Sequence, residues 1–168
     1  MDVRRMRSRA VTTLTPFRRC ADSAYCSIAV MARSVEIIEH TADVGIIARG
    51  DTAEEVFVAA AEGMLAFIIR PEDVRPVETR RRTVEADDRA GLLVAWLNDL
   101  ILLLNADGFI AGGATVLECS ETRIVADVVG EPVDPSRHHF RLDVKAATYH
   151  QLEVSRPNGW RAQVIFDV

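Results

Sequence analysis

A chain of 168 residues, 49% hydrophobic and 27% charged, is long enough for one domain with a real core, and its composition is that of an ordinary soluble globular protein. The formal net charge of −5 divides unevenly: residues 1–33 hold seven arginines against two aspartates, whereas the remainder holds 13 basic against 23 acidic side chains. Phosphate binding needs clustered cations, so stable direct binding of nucleic acid by this acidic body is not expected.

The Arg-rich residues 1–33 lack apolar periodicity and are set aside from the fold. Three readings compete for them: a disordered tail, a transit-like targeting segment, or a stretch upstream of a start at Met31, which is favoured. Ser27–Ala32 is too short and wrongly flanked to be a secretory signal. Cys20 and Cys26 fall in this segment without a second pair to complete a zinc site, and Cys119 reads as a small core residue. Three scattered cysteines form no disulfide framework, which points to a reducing, cytoplasmic compartment.

The folded domain is expected over residues 34–168. Val35–His40 and Val44–Arg49 read as strands around a Thr41-Ala42-Asp43 corner. Thr52 with Glu55 three residues later forms a capping box, and Val56, Ala60, Gly63, Met64 and Phe67 mark the buried stripe of the helix it opens. Arg70-Pro71 ends that helix. Val74–Ala86 reads as a strand with an Arg80/Arg82 face. Asp87-Asp88 then open a second helix that is apolar nearly all round, interrupted by Asn98 and Asp99. Crossing a bilayer takes ~20 apolar residues, so this shorter, charge-bearing run predicts a buried central helix and no membrane association.

Phe109–Glu118 and Arg123–Val129 read as strands, Gly130–His139 as a loop with surface histidines His138 and His139, and Leu142–Ser155 as one long strand. Asn158-Gly159 signals a hairpin turn into Trp160–Val168, where Trp160, Ala162, Val164 and Phe166 alternate with Arg161, Gln163, Ile165 and Asp167. The fold class that follows is α+β, two helices packed on a largely antiparallel sheet in two layers.

The two ends of the domain carry the candidate chemistry. A last residue, Val168, offers a carbonyl and a carboxylate; beside Asp167 and an incoming Asp43 it would complete a set of oxygen donors suited to a hard divalent cation. Asp43 on its corner fits a turn cap at least as well as a ligand. A carboxylate at the end of an apolar strand is costly unless paired or metal-bound, which singles out Asp167 against the alternative of a frayed terminus. His40 and His150 are candidate acid–base or metal groups, against the commoner role of structural hydrogen bonding. Lys145 is the sole lysine of the chain and sits in an apolar stretch, where its ammonium could neutralise a carboxylate cluster or reach a partner's phosphate or carboxylate. The glycine-rich Gly108–Gly113 lacks the Lys-Ser/Thr of a phosphate loop, and there is no G-x-S-x-G.

Four stretches in order resemble one known family. Glu39-His40-Thr41-Ala42-Asp43-Val44-Gly45 is similar to the opening signature of archeases, and Trp96-Leu97-Asn98-Asp99-Leu100 to their central helix. Lys145-Ala146-Ala147-Thr148-Tyr149-His150-Gln151-Leu152 resembles their Lys-Ala-x-Thr-Tyr-His-x-Leu stretch, and Val164–Val168 their aspartate-bearing last strand. The resemblance implies an accessory protein of RtcB-type RNA ligases, promoting guanylylation of the ligase and repeated turnover in tRNA splicing and RNA repair. It further implies Asp43, Asp167 and Val168 as metal ligands, calcium foremost with magnesium or manganese as alternatives, and Lys145 as a functional charge beside them. Two other classes compete: a small metal-dependent hydrolase using His40, Asp43, His150 and Asp167, and a folding chaperone or general interaction module.

Overall fold

Local signals start and stop the two helices. In the computed structural model, which describes residues 33–39 and 44–168, helix α1 spans Ala53–Ile68 and helix α2 spans Arg89–Asp107. The Thr52 hydroxyl accepts the Glu55 N–H at 3.2 Å, and Glu55 reaches back to the Asp51 N–H at 2.7 Å, so two N–H groups without helical partners are satisfied. Asp88 caps α2 by accepting the Gly91 N–H at 2.7 Å. Gly108 ends α2 in a left-handed conformation, φ 58°, that a side chain would disfavour.

Seven strands accompany the helices: β1 (Ser34–Glu39), β2 (Val44–Gly50), β3 (Glu78–Glu85), β4 (Phe109–Cys119), β5 (Arg123–Pro132), β6 (Ala146–Ser155) and β7 (Trp160–Asp167). All pair antiparallel, which bears out the α+β class. They divide into two sheets, however, a four-stranded one in the order β1-β2-β7-β6 and a three-stranded one in the order β3-β5-β4. Each helix packs against both: α1 on β1, β2, β7 and β4, and α2 on β6, β3, β4 and β5. The helices are therefore covered from two sides instead of resting on a single sheet.

That placement explains the composition of α2. Leu92, Leu93, Trp96 and Leu97 are fully buried, and Leu100, Ile101 and Leu103 nearly so. By length and composition alone the 19-residue helix could cross a membrane, but here most of its apolar side chains lie in the core of the domain, Leu102 being the exposed exception. The Trp96 indole donates to the Phe57 carbonyl at 3.3 Å, satisfying its polar atom where α2 meets α1. Asp99, which breaks the apolar run, forms a fork with Arg82 of β3 at 2.5 and 2.8 Å.

Strand β3 starts later than the expected Val74. Pro71–Asp73 forms a 3-10 turn, the Arg75 N–H is taken by the Glu131 carboxylate at 2.6 Å, and Pro76 has no N–H to offer a ladder. Strand β5 runs on to Pro132, beyond the expected Val129, because Gly130 lets β4 approach closely: a Cβ there would lie 2.0 Å from the Ile110 carbonyl oxygen. Cys119 is half-buried at the end of β4 and packs against the core from outside, and burial raises its thiol pKa. Expectations for residues 1–32 lie outside the described residues; Arg33 pairs with Glu62 of α1 at 2.7 Å.

Candidate functional site

Packing, not chain length, determines how far β7 holds its strand conformation. Val164 and Phe166 are fully buried, and the Phe166 ring meets Phe67 of α1 edge-on, with centroids 6.1 Å apart. The strand is thus anchored up to Asp167, whose side chain is exposed, while Val168 is half-buried against the core. On one side of β7, Val44 of β2 lies opposite Phe166. On the other, Ala146 of β6 lies opposite Asp167, and the Lys145 N–H donates to the Asp167 carbonyl at 2.9 Å. The main chain therefore brings exposed Lys145 next to exposed Asp167. Asp43 and His40 lie outside the described residues; Asp43 is bonded to Val44.

The stretch expected as one strand from Leu142 becomes β6 only at Ala146. Arg141 explains the delay: its N–H donates to the Ile68 carbonyl at 2.8 Å and its guanidinium to the Ala66 carbonyl at 3.1 Å, closing the end of α1. The chain thus follows the helix end and reaches the sheet only opposite Asp167, the last residue of β7. A cavity of about 580 Å³ opens along this segment, with Ile68, Leu104, Leu142 and Val144 in its wall and Asp143 and Arg141 as its charged members.

Two polar residues of α2 and β5, neither assigned a partner from sequence, shape the surroundings. Asn98 donates to the Ala147 carbonyl at 3.1 Å and accepts the Ala147 N–H at 2.8 Å, so a single side chain satisfies both backbone groups of an edge-strand residue. Its visible signal was polarity in an otherwise apolar helix. Glu131 is buried and receives the Arg75 N–H, an ion pair from Arg137, and the His138 ring at 3.2 Å. Arg137, with the Arg75 N–H and His138 adding to it, pulls the Glu131 carboxyl down to about 2 against the opposing effect of burial. His138, expected at the surface, is only 3% exposed. Its Nδ1 accepts the Asp134 N–H at 3.0 Å, which leaves Nε2 as the donor towards Glu131. Seven residues separate the pair, so no helical or strand period announced it.

His150 is exposed, and its ring meets the Gln151 amide at 3.2 Å. It stands on an irregular part of β6, not beside Asp167 in the ladder. Oxygen donors such as Asp167 and Val168 are of the type a hard cation takes. Among the described residues, no three His, Cys, Asp or Glu side chains gather as a metal-binding group, so a complete shell would require donors such as Asp43.

Comparison with known proteins places this architecture. The sequence pattern of the Archease protein family (MTH1598/TM1083) matches residues 35–168. A protein named archease from Methanosarcina mazei is 38% identical over 141 residues, covering 81% of this chain and 97% of that protein. Another from Aeropyrum pernix is 41% identical over 138 residues, covering 77% and 94%. The solution structure of Methanobacterium thermoautotrophicum protein 1598 superposes with a TM-score of 0.67 at 30% identity, covering 80% of this chain and 98% of that one. The chain belongs to the archease family.

Proposed function

We propose that this archease-family member is a non-catalytic accessory protein of an RtcB-type RNA ligase, acting in the cytoplasm to promote guanylylation of the ligase and its repeated turnover in tRNA splicing and RNA repair. Similarity over nearly the whole length of proteins named archease supports the reading. The observation that carries it is the junction at the end of β7, where the Lys145 N–H meets the Asp167 carbonyl and Val44 lies opposite Phe166.

In this reading Asp43, Asp167 and Val168 hold a divalent cation. An oxygen-only donor set favours calcium, magnesium or manganese over zinc. The ion would supply concentrated positive charge at an exposed end of the domain. Lys145 adds a fixed cation beside the carboxylates and limits their mutual repulsion. His40 and His150 are supporting polar groups. Buried Phe166 and the Asn98 bonds to Ala147 hold the strand that carries Asp167 and the start of β6 that follows Lys145, so little ordering is needed when a partner arrives.

The test is RNA joining with the ligase from the same source held at low concentration. With this protein present, each ligase molecule should seal many RNA ends bearing a 2′,3′-cyclic phosphate or 3′-phosphate to 5′-hydroxyl ends. Equal turnover with and without the protein would refute the reading.

A further inference from the structure

The least regular part of the four-stranded sheet adjoins this junction. Thr148 pairs with Ile165 and Glu153 with Gln163, so Tyr149–Leu152 stand against the single residue Val164. Such a bulge re-aims side chains and ends pairing locally. Gln151 adopts φ 50°, the one positive φ of a non-glycine residue among those described. A left-handed backbone is unfavourable for a residue that carries a Cβ, and glycine would remove that strain.

The bulge is nonetheless built. The Thr148 hydroxyl donates to the Ile165 carbonyl at 3.0 Å and accepts the His150 N–H at 3.3 Å. Asn98 pins the preceding Ala147. The outcome is three successive exposed side chains, Tyr149, His150 and Gln151, with Tyr149 68% exposed. The Tyr149 hydroxyl lies above Gly91 in the first turn of α2, 3.6 Å from where a Cβ would stand.

We propose that the bulge Tyr149–Leu152 is a docking surface for a folded protein, with Tyr149 as its anchor. Tyrosine contributes a large, stiff contact area with a polar tip and is enriched among residues that dominate interface energies. The surrounding charge argues for protein over RNA. Exposed Lys145 is accompanied by exposed Asp143, Glu153 and Asp167, and nearby Arg161 is paired with Glu153 at 2.7 Å. Among the described residues such a strip lacks the clustered free cations that phosphate requires. Thr148 is two residues from Ala146, the register partner of Asp167, so a partner seated on the bulge would lie beside the Asp167 end. The inference rests on the accessory-protein reading and takes the RtcB-type ligase as the partner.

The experiment is an affinity titration of the ligase against the full chain and its Tyr149→Ala and Tyr149→Phe variants, with thermal unfolding of each and a parallel titration of single-stranded RNA. Tyr149→Ala should weaken ligase binding at least tenfold with little change in unfolding temperature, and Tyr149→Phe, which keeps the ring, should bind within about threefold of wild type. Wild-type affinity in Tyr149→Ala, while the unmodified protein still activates the ligase, would overturn the docking surface and leave the functional reading intact. RNA binding that is lost in Tyr149→Ala would make the bulge an RNA platform and overturn the proposal. No ligase binding by the unmodified protein would overturn the functional reading and the docking surface together.

Discussion

Glu131 shows how much one buried carboxylate can organise. It ties the turn before β3, through the Arg75 N–H, to the loop after β5, through Arg137 and His138, and Arg137 also donates to the Asp73 carbonyl at 2.7 Å. Its folded carboxyl titrates at about 2, below the ordinary 4.5, so the ionised form favours folding. That contribution is fully present above about pH 4.5 and is lost as pH falls towards 2. Glu131→Gln removes the charge but keeps the shape; it should destabilise by about 1–3 kcal/mol at pH 7, measured by urea unfolding. The difference between wild type and variant should shrink at pH 3 and nearly vanish near pH 2. A difference independent of pH would mean that the charge is not what the Arg137 and His138 contacts recognise.

Strand β6 depends on α2 for its shape because it lies at the sheet edge. Asn98→Ala should cost about 1–2 kcal/mol for two lost hydrogen bonds to a partly buried backbone. Amide exchange at Ala147 should rise tenfold or more, with far smaller changes in β2. Unchanged exchange at Ala147 would show that the amide does not hold the strand. The limits of sequence reading follow the same division between near and distant partners. Thr52 with Glu55, Asp88, and the alternation of Ala162, Val164 and Phe166 were legible because cap and period act within a few residues. The apolar run of α2 announced the burial of Leu92, Leu93, Trp96, Leu97 and Leu100, although Leu102 is left exposed. The split into two sheets was not legible, since strand order is decided by contacts between distant segments. Nor was the late start of β6, which depends on Arg141 meeting the end of α1, or the burial of His138, which depends on Glu131. Of the candidate site, the structure bears on Asp167, Val168, Lys145 and His150: it brings Lys145 to Asp167 by main chain and puts His150 on the bulge. Asp43 and His40 lie outside the described residues.

Across the domain, two sheets enclose two helices, and the closing strand β7 lies between β2 and β6 inside the larger sheet. Distant parts of the sequence thus share one strand end, with an acidic side chain on β7 and a cation on the approach to β6. A site of this kind can be removed without disturbing the core, because Phe166 and Val164 carry the packing while Asp167 faces solvent. Asp167→Ala should therefore change stability by no more than ~0.5 kcal/mol while removing function. The direct measurement is transfer of labelled GMP from GTP to the ligase of the same source at fixed divalent-ion concentration, with no addition, with this protein, or with its Asp167→Ala variant. The expected result is strong stimulation by the unmodified chain and a return to the unassisted rate with folded Asp167→Ala; full stimulation by that variant would contradict a role for the β7 end in activating the ligase.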